Sequence, residues 1–186
     1  MPTFGLIVEG AYDVAAVTEW IRKCFESDID VRARLCAQKG SLMRKFAGYL
    51  SGLHWDNHGG PVDKAFIIRD ADGKDPQELI NIMKSRIADR LPIFPVEFVI
   101  IVQELETWLL ADNNAIAQVI GMRVPEIHRP LEEIRNAKEY FRRILSDAGV
   151  VYTAEVARKI AAASDLERLA YRCPGFRTFH QAVLGR

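Results

Sequence analysis

The chain has 186 residues, 49% hydrophobic and 27% charged, enough for one sizeable core and short for two full domains. Lys plus Arg total 25 and Asp plus Glu total 25, so the basic balance typical of a protein that grips nucleic acid unaided is missing. No apolar run approaches the roughly 20 residues that span a bilayer, which excludes a helical membrane protein.

"TFGLIVEG" is a short apolar run ending in Gly and predicts a buried strand. "DVAAVTEWIRKCF" follows with Val14, Val17, Ile21 and Cys24 at helical spacing and Asp13 as the expected N-cap. "DIDVRARLCA" alternates apolar and polar residues, as a half-buried strand does. "SLMRKFAGYLSGL" places Leu42, Phe46, Tyr49 and Leu53 on one helical face behind Ser41. "HWDNHGGPVD" has loop composition, and it contains His54 and His58, whose spacing would suit a metal only on a helix. "KAFIIRD" reads as a strand, "DPQELINIMKSRIADRL" as a helix entered through Asp-Pro, and "PVEFVIIVQ" as a further strand.

Strands alternating with amphipathic helices predict an α/β fold: a mainly parallel, Rossmann-like sheet of about four strands with helices on both faces. From Asn113 onward the pattern is helical, in "PLEEIRNAKEYFRRILSDAG", "TAEVARKIAAAS" and "DLERLAYRC". The expected organisation is an α/β unit over residues 1–112 and a helical cap over 113–186 packed on it. Trp108 is expected to pack the cap onto the sheet, and Tyr140, beside Phe141, to lie in the core. Arg129, Arg135, Lys138, Arg142 and Arg143 give the cap a basic bias, with interleaved acids. Cys24, Cys36 and Cys173 are odd in number and scattered, which suggests neither a disulfide framework nor a zinc knuckle. "MPTFGLIVEG" lacks the basic stretch and cleavage site of a signal peptide, so a cytoplasmic protein is expected.

The residues that carry chemistry are acidic. Glu9 ends the first strand, Asp70 and Asp72 the third, and Glu104 and Glu106 follow the fourth, with Asp13 one helical turn beyond Glu9. In a parallel sheet these positions meet at the C-terminal edge, where ligands bind. Singly, each has an ordinary explanation: a Glu-Gly turn, an Asp-Gly turn, a helix start. Together they would repel one another unless protonated or neutralised, and such oxygen-rich clusters suit Mg²⁺, Mn²⁺ or Ca²⁺. "AQKGSLMRKF" sets Lys39 and Ser41 at a strand–helix junction where backbone N–H groups receive phosphate, and Lys74 follows the Asp pair. It lacks the Walker pattern, so nucleotide binding is not expected.

"LIVEGAYD" followed by "AFIIRDADG" resembles the paired signatures of the Toprim (topoisomerase–primase) superfamily, over roughly residues 4–110. "ELETWLLAD" and "CPGFRTFHQAVL" are similar to small Toprim-like proteins that resemble the nuclease domain of the overcoming-lysogenization-defect (OLD) enzymes. The resemblance implies a metal-dependent nuclease with one or two Mg²⁺ or Mn²⁺ ions. Asp70 and Asp72 would be ligands and Glu9 a ligand or acid/base group. Asp13 and Glu104 or Glu106 would complete the metal positions. It also implies a basic residue near the metals, for which Lys39, Lys74 and Lys159 compete, and an ATPase partner encoded nearby in a defence or DNA-processing system. Two departures limit it. Lys74 stands where topoisomerases carry a further Asp, and nothing matches the domain bearing their nucleophilic Tyr, so strand passage is not expected. Nucleic acid would be bound weakly by the chain alone, no membrane is expected, and a homodimer is left open. The alternative is a non-catalytic scaffold in an ATPase complex. A haloacid-dehalogenase-type phosphatase is weaker still, because Lys74 follows Gly73 where that family has Thr or Val.

Overall fold

The computed structural model describes residues 1–25, 28–36, 40–54 and 60–185. The first half alternates as β1 (Thr3–Val8), α1 (Ala11–Lys23), β2 (Asp30–Leu35), α2 (Leu42–His54), β3 (Lys64–Asp70), α3 (Pro76–Ile87) and β4 (Val96–Ile101). The second half is helical: α4 (Leu105–Leu109), α5 (Asn113–Ile120), α6 (Ala137–Asp147), α7 (Ala154–Ala163), α8 (Leu166–Arg172) and α9 (Pro174–Leu184). The four strands form one parallel sheet in the order β2-β1-β3-β4. The α/β, Rossmann-like architecture and the helical C-terminal region are therefore present as expected. Among the described residues no helix is long and apolar enough to cross a membrane.

Each central strand is covered on both faces, which is why its sequence reads as an unbroken apolar run. Phe4, Leu6 and Val8 of β1 point to one face, with Phe66, Ile68, Val99 and Ile101 of the neighbouring strands. Ile7, Ala65, Ile67 and Ile100 point to the other, against Leu42, Phe46, Leu50 and Leu53 of α2 and Leu79, Met83 and Ile87 of α3. Burying each such side chain contributes about 1.5–3 kcal/mol. Gly5 lets α2 approach β1: a Cβ there would stand 2.6 Å from Leu53 Cδ1. β2, at the sheet edge, is half-buried, matching its alternating sequence.

The first face carries α1 together with the C-terminal helices, and its core runs without a break from β1 into α9. The last strand ends at Ile101 and helix α4 already follows it before Asn113, and residues on both sides of Asn113 share one core. Trp108 is fully buried, with its ring centroid 5.9 Å from Trp20, 5.2 Å from Phe176 and 5.7 Å from Phe179, and it packs the helices onto the sheet as expected. Tyr140 departs from its expected core position. It is 38% exposed while Phe141 is fully buried, because adjacent residues on α6 point about 100° apart. Asp112 caps α5 by accepting from Asn114 and Ala115 N–H groups and also accepts from Asp165 N–H at 2.9 Å. Lys23 and Arg158 tie α1 to α7 through the Ala162 carbonyl and Glu19.

Candidate functional site

β1, α1 and β2 build the sheet to one side, and β3, α3 and β4 build it to the other. The order therefore reverses between β1 and β3, and the crevice beyond their C-terminal ends is where such sheets bind ligands. Glu9 follows β1 and Asp70 ends β3, one on each side of that point. Asp13 is not the N-cap of α1: Gly10 is, and Asp13 reaches back from the first turn to accept the Gly10 N–H at 2.8 Å. A Cβ at residue 10 would stand 3.2 Å from that carboxylate oxygen, so the glycine leaves the acid room to close.

The Asp-Ala-Asp-Gly stretch turns sharply. Lys74 N–H donates to the Ala71 carbonyl at 3.0 Å, with φ of +51° at Asp72 and +76° at Gly73. Asp tolerates this left-handed region better than most residues and Gly adopts it freely, which accounts for the pair. Arg69, almost fully buried, donates to the Asp70 carbonyl at 3.0 Å and to Asp72 Oδ2 at 3.4 Å, fixing the turn from below.

Beyond β4, Glu104 is the N-cap residue of α4, and its Oε2 accepts the backbone N–H of Lys138 at 2.8 Å, capping α6 from outside. Glu106 is only 2% exposed, and its Oε1 makes no hydrogen bond among the described residues. The Lys138 ammonium group lies 3.5 Å from that oxygen and 5.3 Å from the centre of the Tyr12 ring. Tyr12 in turn packs on Tyr152 at 4.6 Å.

Glu9, Asp13, Asp70, Asp72, Glu104 and Glu106 all line one crevice of about 250 Å³, together with Tyr12 and Lys138. Burial, then the charges of Asp13, Glu106, Glu9 and Glu104, push the Asp70 carboxyl up to about 8. Asp13 rises to about 6, chiefly through burial; Glu106 and Glu9 add to the rise, while the Gly10 N–H and Lys138 oppose it. Burial and the neighbouring Glu106 also push the Tyr152 phenol up. The donor set is all oxygen and mutually repulsive; in chemistry this fits a hard divalent cation. Among the described residues no three acid, His or Cys side chains yet form an ion's coordination shell, so binding would have to draw the carboxylates together.

A family model described as a domain of unknown function, DUF4276, matches residues 8–184. The chain belongs to this family. The DUF4276 match runs from the end of β1 to the end of α9, so the family unit contains both the crevice and the helices that supply Lys138. No curated protein and no solved structure matches the chain.

Within this DUF4276 domain all six expected metal ligands meet in the crevice, whereas of the expected phosphate-binding residues neither Ser41 nor Lys74 lines it. Ser41 is fully buried and donates its hydroxyl to the Cys36 carbonyl at 3.4 Å. Lys74 is exposed on the turn and does not line the crevice. Lys39 lies outside the described residues, as does His58, and His54 ends α2. Lys159, on α7, pairs with Glu155 at 3.9 Å, so among the described residues the lysine in the crevice is Lys138. The sequence did carry a signal for it. A lysine in the first turn of a helix opposes the helix dipole and calls for acids nearby. Tyr12 and Tyr152 were also missed, because they meet only through the packing of α1 against the chain beyond α6.

Proposed function

We propose that the chain is a divalent-metal-dependent phosphodiesterase acting on nucleic acid, a nuclease of the Toprim and OLD kind. The observation that carries the reading is the convergence of six carboxylates from separate elements on one crevice at the reversal of strand order. Burial and mutual repulsion hold Asp70 and Asp13 well above the ordinary carboxylate range, a cost that a bound cation would relieve. Asp70 and Asp72 would hold Mg²⁺ or Mn²⁺, with Glu9, Asp13, Glu104 and Glu106 as the further oxygen donors. One or two bound ions would supply an activated water and charge stabilisation for the leaving oxygen of a displacement at phosphorus. Glu9, which lines the crevice with the Asp pair, would ligate the metal or move a proton. Lys138, which lines the crevice, would take up charge on the phosphate once Glu106 is engaged elsewhere.

A cytoplasmic location, an ATPase partner encoded nearby and weak binding of nucleic acid by the chain alone belong to the same proposal. A second reading, a non-catalytic scaffold for such a partner, draws support from the structural duties of the same acids. Asp13 accepts the N–H of Gly10, the N-cap of α1, Glu104 caps α6, Glu106 faces Lys138 and Asp72 faces Arg69. The two readings separate in one assay. Purified protein is incubated with end-labelled single- and double-stranded DNA and RNA, with Mn²⁺ or with chelator. The nuclease reading requires cleavage that depends on Mn²⁺ and is lost in Asp70→Asn; the scaffold reading requires none, with partner binding that survives the substitution.

A further inference from the structure

Behind the first turn of α6 lies a second concavity, of about 500 Å³ against about 250 Å³ for the acidic crevice. Its walls carry Arg129, Arg135 and Arg143, all exposed, and the ring of Tyr140. Among the described residues none of these three guanidinium groups forms a hydrogen bond or an ion pair. Arg142, Arg158, Arg168 and Arg172 are by contrast each tied to a carboxylate. The groove also contains Glu133 and Glu139, but Glu139 is held by Arg142 at 2.9 Å, so the three arginines outweigh the acid left over. A protein with zero formal net charge has here concentrated unpaired positive charge in one place.

We propose that this groove binds the backbone of single-stranded nucleic acid and leads it to the crevice. The inference rests on the phosphodiesterase reading for what lies at the end of the strand. Guanidinium groups pair with phosphate oxygens in a planar, bidentate manner. Tyr140, 38% exposed where the sequence alone placed it in the core, offers a face on which an unpaired base stacks. Grooves that hold single strands without sequence preference combine these two features, whereas bases inside a duplex are already stacked on each other. Asn136 and Glu139 line the groove and Lys138 lines the crevice, so the start of α6, a helix about 10–12 Å across, borders both. A strand crossing the α6 N-terminus would present its next phosphates to Lys138 and the carboxylates.

The test is fluorescence anisotropy in EDTA with labelled strands of roughly 16 nucleotides, the upper end of site sizes for such grooves, as DNA, as RNA and as duplex DNA. Binding by the intact chain is expected to favour single strands, with log K falling against log salt with a slope of about −2 for the three arginines. The combined Arg129→Ala, Arg135→Ala, Arg143→Ala variant should bind at least tenfold more weakly with a flattened slope, and the corresponding triple Lys variant should keep the slope. Tyr140→Leu should weaken binding several-fold at unchanged slope. The DNA and RNA arms identify which strand is taken. Undetectable binding, preference for duplex, or binding that the triple Ala variant leaves intact overturns the inference. So does an outcome in which the arginines hold poly-glutamate but neither strand, which makes the groove a protein-docking surface. Arginine-dependent binding without Mn²⁺-dependent cleavage would leave the groove assigned and the crevice reading refuted. Cleavage with binding indifferent to the arginines would do the reverse.

Discussion

Lys138 Nζ stands 3.5 Å from Glu106 Oε1, so a lysine from α6 supplies the countercharge for a carboxylate buried at the start of α4. Removing one partner of a buried pair costs about 3–5 kcal/mol. Lys138 is 33% exposed, so Lys138→Met is expected to cost less, about 1–3 kcal/mol. At about 2–4 °C per kcal/mol for a chain of this size, the melting temperature falls by several degrees. Adding Glu106→Gln to Lys138→Met should restore most of that loss. Additive losses in the double variant would show that the two groups do not interact.

Glu104 separates a structural duty from a ligand duty. Its carboxylate caps α6 through the Lys138 N–H, and a cap of this kind is worth about 1 kcal/mol. Glu104→Gln keeps an acceptor oxygen and should melt close to the parent, while Glu104→Ala should lose about 1 kcal/mol by denaturant titration. If the Gln variant is as unstable as the Ala variant, the hydrogen bond is not what Glu104 contributes.

The raised carboxyls fix a sign for pH. Asp70 takes up its proton at about 8 in the folded chain against 3.8 unfolded, so between those values the folded state holds a proton that the unfolded state has released. Asp13, at about 6, acts in the same sense over a narrower range. The stability these groups contribute is complete below about pH 4 and is lost as pH rises through about 8. Metal-free protein should therefore unfold at progressively lower temperature from about pH 5 to pH 8, and Asp70→Asn should flatten that decline and equal or exceed the parent at pH 8. A parent chain that gains stability over this interval would contradict the burial of Asp70.

Glu9→Gln should leave folding largely intact and abolish turnover, since Glu9 sits at the end of β1 beside the Asp pair rather than within the core. Undiminished cleavage by this variant would remove both the proton-transfer and the essential-ligand roles.

The sheet was legible because burial on both faces leaves each inner strand an apolar run, and because helices α1 to α3 keep their apolar periodicity. The acidic crevice was legible for a related reason: in a parallel sheet every strand end lies on the same edge, so acids at those ends must meet. What could not be read depends on which way the later helices turn. Arg135, Lys138, Arg142 and Arg143 look alike in sequence, yet Lys138 enters the crevice, Arg142 pairs with Glu139, and Arg135 and Arg143 line the groove. Ser41 looked like a phosphate-binding cap residue, but the chain's own Cys36 carbonyl takes its hydroxyl in a fully buried position. Asp13 was misplaced by a few residues for a local reason, because Gly10 accepts the capping role when an acid follows in the first turn.

The central claim is that this crevice is a divalent-cation site, and Mn²⁺ titration followed by thermal unfolding at about pH 8 tests it most directly, where Asp70 is losing its proton. An ion at about 100 times its Kd stabilises the state it binds by about 2.7 kcal/mol. The intact chain should therefore gain several degrees with Mn²⁺, while Asp70→Asn and Asp72→Asn, folded and no less stable without metal, should gain little. If both variants gain the same shift as the parent, the ion binds elsewhere and the carboxylate crevice is not a metal centre.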